Sequence, residues 1–427
     1  MASDSLGNTV VVGYFKNTVD FGTGPISSVG GADGFIVKYN SQGTALWTKG
    51  FGGMSDDFAK AVAMDSAGNI IVVGQFAGTV DFGGQILTTT GTSSDPYAGD
   101  IFVAKYSSAN PPSLLWVKQF GGIYGDGARA VAVDTRIDPN TGRARDNIFV
   151  SADISSAVTF GAFNLSTAGT ALVELSGANG SVVWAQSYGI TAGDIAVDKF
   201  GDLLLAGSVW NPAIANYNIF LAKYSGTDGH NLWSKTVTSS SPATQIASGV
   251  AADPNTGNMI FTGQYAGAAD FGGPITDFFG TANGVGGIFL AVYDASGNYL
   301  WAKTPNMATY GFSDESGNAV SADATGNIYV TGKVNSAVYF TGSQILLGGH
   351  AMFSASFAGN GSCRWAKRSG GAGGNGTGIA VDPAGHVFIT GEVLNGTMYF
   401  DGSLGAAGGS VSTASGTTAP FVVQFSK

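Results

Sequence analysis

Seven aspartates recur at one place in a repeated phrase: Asp4, Asp65, Asp134, Asp198, Asp253, Asp323 and Asp382. From the second copy onward each closes an apolar pentamer, as in "AVAMD" (61–65), "AVAVD" (130–134) and "GIAVD" (378–382). Carboxylates repeated in this way could gather cations around one mouth of a ring. The same residues also suit a tight turn, because D-x-x-G-N lets Asp accept backbone N–H bonds while Gly or Asn takes positive φ. No D-x-D-x-D-G run supplies the clustered oxygen ligands of a local calcium loop. No cofactor is expected on these grounds, with calcium as the one alternative.

A second set comprises Asp20 and Asp81 in two copies of "TVDFG" (18–22 and 79–83) and Asp270 in "AADFG" (268–272). Surface carboxylates of this kind either bind sugar hydroxyls or calcium, or close turns. The Phe that follows is constant and is expected to anchor its loop. Trp210 stands apart from the repeat, in "SVWNPAIANYN" (208–218) beside Asn211, Asn216, Tyr217 and Asn218. A ring flanked by amides can stack on carbohydrate, whereas the structural alternative is a plug filling the space of a shortened loop. The candidate ligand-binding residues are therefore Trp210, Asn211, Tyr217, Asp20, Asp81 and Asp270. No catalytic or metal-binding residue is assigned. His230, His350 and His386 fall at unrelated positions, Cys363 is the sole cysteine, and no nucleophile elbow, Walker loop or dinucleotide fingerprint appears in context.

The elements that must carry these residues are short and repeated. Four modules recur in fixed order: the Asp pentamer, an apolar strand such as "IIVVG" (70–74), an aromatic-ended strand such as "FVAKY" (102–106), and a tryptophan strand such as "LLWVKQFGG" (114–122). Six of the seven tryptophans occupy the last module. Each module is rich in β-branched and aromatic residues and is bounded by Gly, Asn, Asp or Ser, which are strand signals. Their connections are too short and polar for crossover helices, so neighbours should pair antiparallel. Four such strands in a repeat of about 60 residues predict an all-β, seven-bladed β-propeller of four-stranded antiparallel blades. The whole chain, 1–427, reads as one domain, with blades at about 1–53, 58–122, 128–189, 193–238, 247–305, 317–371 and 376–427.

The run "AVAMDSAGNIIVVGQFAGTVDFGG" with the "FVAKY" and "LLWVKQFGG" strands resembles the SBBP family of seven-bladed propellers, and more distantly the NHL-type propellers. The resemblance spans nearly the whole chain. It implies a secreted or cell-surface bacterial protein whose propeller is a binding scaffold, and it carries no catalytic motif to transfer. Blade 3 departs from the pattern in "IFVSA" (148–152) and "ALVEL" (171–175), and blade 4 has a shortened loop before its third strand.

Residues 1–8, "MASDSLGN", align with "VAMDSAGN" (62–69), so the sequence enters within the first strand of blade 1. It stops at "FVVQFSK", after the third strand of blade 7. Blade 7 is expected to lack its outer strand, to be completed by upstream residues in the natural protein, and otherwise to offer a free edge for strand addition or self-association.

Composition narrows the function classes. Charged residues are only 11% of the chain and the formal net charge is −10, which opposes nonspecific binding to nucleic acid or anionic lipid. No segment is long and apolar enough to cross a membrane as a helix, and "MASDSLGN" has no signal-peptide character. The expected function is a non-enzymatic extracellular binding or scaffold module for a glycan or protein partner. The alternatives are a subunit of an extracellular assembly, or a propeller lyase or glycosidase built from convergent carboxylates.

Overall fold

The structure, a computed structural model, describes every residue except 92–98, 240–244, 268, 278–285, 308–314, 336–337, 341–350, 401–409, 413–417 and 426–427. His350 therefore lies outside the described residues. Among those described the chain is all-β, and its sheets are the seven blades of a β-propeller. Two compact units divide it. The first comprises Met1–Val197, Gly201–Leu203 and Tyr224–Asn231; the second comprises Asp198–Phe200, Leu204–Lys223 and Leu232–Lys427.

In the first unit the blades follow the order read from sequence. Blade 2 runs Phe58–Met64, Ile70–Phe76, Asp100–Tyr106 and Leu114–Phe120, each strand antiparallel to the next. Its second and third strands are buried almost throughout, as strands covered on both faces must be, so they read as continuous apolar runs rather than alternations. Blade 1 begins with the two-residue strand Ala2–Ser3, paired with Val10 and Thr9. Phe82, the anchor of the blade 2 loop, is fully buried against Phe51, Phe76 and Phe102, with ring centroids 4.9–5.6 Å away. Phe160, Phe271, Phe340 and Phe400 are buried at the matching places.

The first strands of blades 2, 3, 5, 6 and 7 carry a β-bulge that leaves one residue out of the ladder: Lys60, Arg129, Ser248, Asn318 and Thr377. Opposite it in blade 2 stands Gly74, where a Cβ would lie 1.9 Å from the Phe58 carbonyl oxygen. That near-contact explains why the second module so often ends in glycine.

The tryptophan strand is the outer strand of blades 1, 2, 3 and 6 and is capped by a short further strand in blades 4 and 5, and several of its rings reach onto the following blade. Trp184 donates its indole N–H to the Gly226 carbonyl, Trp233 to Ala295 and Trp301 to Gly359. The turn glycine beneath each ring has no room for a side chain: at Gly229, with φ of +76°, a Cβ would sit 2.7 Å from Trp184. Blade 7 departs from this scheme. Its strands are Gly370–Val381, Val387–Tyr399 and Thr418–Phe425, and among the described residues the last pairs only with the second. The blade thus has three principal strands, with Ser410–Ser412 added beside Thr397–Tyr399.

Candidate functional site

The seven repeated aspartates are turn residues. Asp65 Oδ1 accepts the N–H groups of Ala67 and Asn69, and its Oδ2 accepts the Asn69 side-chain amide at 2.8 Å. Asp4 and Asp323 repeat the arrangement with Asn8 and Asn327, and Asp382 does so with His386. A partner unremarked in the sequence reading completes three of them. The lysine of the "KY" strand end reaches across the second strand to the carboxylate: Lys105 to Asp65 at 2.7 Å, Lys223 to Asp198 at 2.8 Å and Lys38 to Asp4 at 3.4 Å. These pairs are almost wholly buried. Burial alone would raise the Asp65 carboxyl, but the bonds from Lys105 and Asn69 outweigh it and hold the group below the usual carboxylate range. The signal for the pairing was present in sequence as a lysine at one place in "FIVKY", "FVAKY" and "FLAKY".

Blade 3 inverts this charge. Glu174 of "ALVEL" takes the lysine's place, and Asp134 is instead held by Arg136, whose Nε and Nη2 donate at 2.7 Å. Glu174 accepts the Asn147 amide at 2.6 Å, and the Trp184 indole lies beside its buried carboxylate. Burial, with Asp134 adding to it, pushes this carboxyl up to about 7.

Two further buried carboxylates tie consecutive blades together. Asp57 is shut off from solvent and accepts the N–H groups of Gly53 and Ala77; Asp126 does the same for Gly122 and Ser155. Their sequence signal is an acid four residues after the last glycine of "FGG". Burial raises Asp57 to about 7 against the pull of its two N–H donors.

The loop aspartates also sit in turns. Asp20 accepts N–H bonds from Gly22 and Gly24, Asp81 from Gly83 and Gly84, and Asp270 from Gly272. Those bonds, Gly84's foremost, draw the exposed Asp81 carboxyl below its usual value. Each of the three carboxylates is exposed and stands in a separate loop.

Trp210 and Tyr217 come together. They lie on the strands Leu203–Asn211 and Asn216–Tyr224, a hairpin in which Asn211 Oδ1 caps the turn through the Ala213 N–H. Where other blades carry a long loop, this hairpin simply extends its two strands. The rings meet edge to face, with centroids 5.2 Å apart at 74°, yet they remain 51% and 37% exposed. Trp210 is therefore no plug. Behind them, the Gln245 N–H donates to the Tyr217 carbonyl, and among the described residues the fully buried Gln245 side-chain amide has no hydrogen-bond partner. Neither has Oδ1 of the neighbouring Asn218, which is 2% exposed. Buried polar atoms left unpaired cost free energy and mark a place where a polar ligand or water would be welcome.

Blades and hairpin together define the class, a β-propeller repeat protein with an exposed aromatic pair on its shortest second-to-third-strand connection. No protein-family model matches the chain, and no curated protein matches it either. Among solved structures it is similar to the Pan2 WD40 domain of Neurospora crassa, at 9% identity over 78% of this chain and 85% of that one, with a TM-score of 0.40. It is similar to BamB from Moraxella catarrhalis at 10% identity over 74% and 86%, with a TM-score of 0.36. Sqt1 from Chaetomium thermophilum gives 10% identity over 91% and 92%, with a TM-score of 0.41.

Proposed function

We propose that this chain is a non-enzymatic binding propeller, of the SBBP type and acting outside the cell, that holds a glycan on the Trp210–Tyr217 hairpin. The observation that carries the reading is the exposed edge-to-face ring pair on the shortened second-to-third-strand connection of blade 4. A sugar ring stacks its C–H face on an exposed indole, while amides such as Asn211 and Asn216 can exchange hydrogen bonds with hydroxyls. Binding rather than catalysis is favoured because the repeated carboxylates are already committed to turn N–H groups and lysines. Trp210→Ala is expected to weaken glycan binding about five- to thirtyfold while leaving the melting temperature unchanged, since an exposed aromatic contact is worth about 1–2 kcal/mol. A glycan array followed by calorimetry on the best hit checks this. An array without hits, or a hit that binds the variant equally, sinks the reading.

A second reading, assembly through a blade edge, has its own observation: Thr418–Phe425 pairs on one side only among the described residues. An unpaired strand edge accepts another strand readily. If this edge self-associates, light scattering will show an oligomer that Val423→Pro converts to monomer. A wild-type protein that stays monomeric at all accessible concentrations ends that alternative.

A further inference from the structure

The bulges of blades 2 and 3 do more than bend their strands. They turn Lys60 and Arg129 out of the ladder toward one cavity of about 430 Å³ in the first unit, together with Gln75, Asp126 and Asp153. Gly193 occupies the matching position of the next inner strand, "TAGDIAVD" (191–198), and lines the same cavity. Having no side chain, it leaves open the space that a third long residue would fill.

The charges in this cavity are unevenly matched. Arg129 is paired through Nε with Asp153, which fixes the guanidinium and leaves its two terminal nitrogens available. Lys60 has no carboxylate partner among the described residues. Its ammonium instead lies over the rings of Phe58, 4.6 Å from the centroid, and Tyr14, 5.5 Å away. Rings hold a cation in place without neutralising it. Partial burial, with the neighbouring Arg129 charge adding to it, lowers the Lys60 pKa, so an anion placed between the two would relieve both. Asp126 does not fill that role, because its oxygens are taken by the Gly122 and Ser155 N–H groups. The half-exposed Asp153 presents acceptor lone pairs beside the two cations, which suits hydroxyls on the same ligand.

We propose that this cavity binds a carboxylate-bearing sugar, a uronate, with the carboxylate between Lys60 and Arg129 and hydroxyls on Asp153 and Gln75. The site belongs to the first unit and is independent of the Trp210 hairpin in the second, so either can fail without the other. The test is calorimetric titration of the full chain with a uronate trisaccharide, with its neutral hexose counterpart and inorganic sulfate as comparisons. Expected is binding to the uronate that falls about tenfold or more in Lys60→Met and in Arg129→Met, is largely kept in Lys60→Arg, and weakens with added salt. Trp210→Ala should leave it unchanged. Lys60 and Arg129 are exposed enough that both variants should melt with the wild type. The proposal is overturned if the uronate does not bind, if the neutral sugar or sulfate binds as tightly, or if Lys60→Met binds like the wild type.

Discussion

Replacing Lys105 with methionine is expected to lower the unfolding free energy by about 3 kcal/mol at pH 7, by analogy with other buried ion pairs that lose one partner. The Lys105 ammonium satisfies two buried acceptors, Asp65 Oδ2 and the Gly177 carbonyl, each at 2.7 Å. Methionine fills the space but leaves both without their donor. The loss is held near the lower end of such cases because Asp65 keeps its bonds from Ala67 and Asn69. Urea denaturation at pH 7 measures it. The pH dependence supplies a second check. The Asp65 carboxyl is held below its usual value, so the stability it contributes is complete above the unfolded-chain pKa of 3.8 and is lost as pH falls through the lower folded value. In Lys105→Met the folded carboxyl loses a main lowering partner and moves up toward the unfolded value, so the acid loss of stability should be smaller than in the wild type. Lys38→Met should cost less, since its pair with Asp4 is longer, at 3.4 Å, and somewhat more exposed. Equal stability of Lys105→Met and wild type would show that the pair contributes nothing net.

Glu174→Gln should act in the opposite direction. The carboxyl is pushed up to about 7, chiefly by burial, whereas in the unfolded chain it ionises near 4.5. A carboxyl raised in this way contributes no penalty below about pH 4.5, because both states then carry the proton. As pH rises toward 7 the unfolded chain releases its proton more readily, and the folded state loses stability until both are ionised. Glutamine removes this term while keeping an oxygen to accept the Asn147 amide. The variant is expected to gain on the order of 2 kcal/mol over the wild type at pH 8 and almost nothing at pH 4.5. Thermal melts at the two pH values decide it, and a gain of equal size at both would assign the effect to packing instead.

The fold was legible because its signals are local. A strand is written in alternation and β-branched residues, a turn in Asp, Gly and Asn, and repetition multiplied each signal until the blade pattern could not be missed. The loop phenylalanines and the three-stranded seventh blade were readable for the same reason: each is a presence or absence within one module. The candidate site was only half legible. Trp210 was visible as an aromatic out of register, but its contact with Tyr217 required the hairpin to run on past the blade.

What the sequence determined by itself was the class of protein: seven blades, their strand order and the turn role open to each Asp. What the tertiary structure decided was which charges meet. Lys105 finds Asp65 only because an entire strand lies between them and the lysine is long enough to cross it. Blade 3 shows why this cannot be read off the repeat, since Glu174 breaks the rule and Arg136, two residues past Asp134, takes over the pairing. Lys60 and Arg129 share a cavity because each bulge rotates one side chain out of its ladder. Hydrogen-bonding turns and strand alternation act over a few neighbouring residues and so leave their mark in sequence. The meeting of side chains from different strands depends on register, and one extra residue in a strand is enough to redirect it.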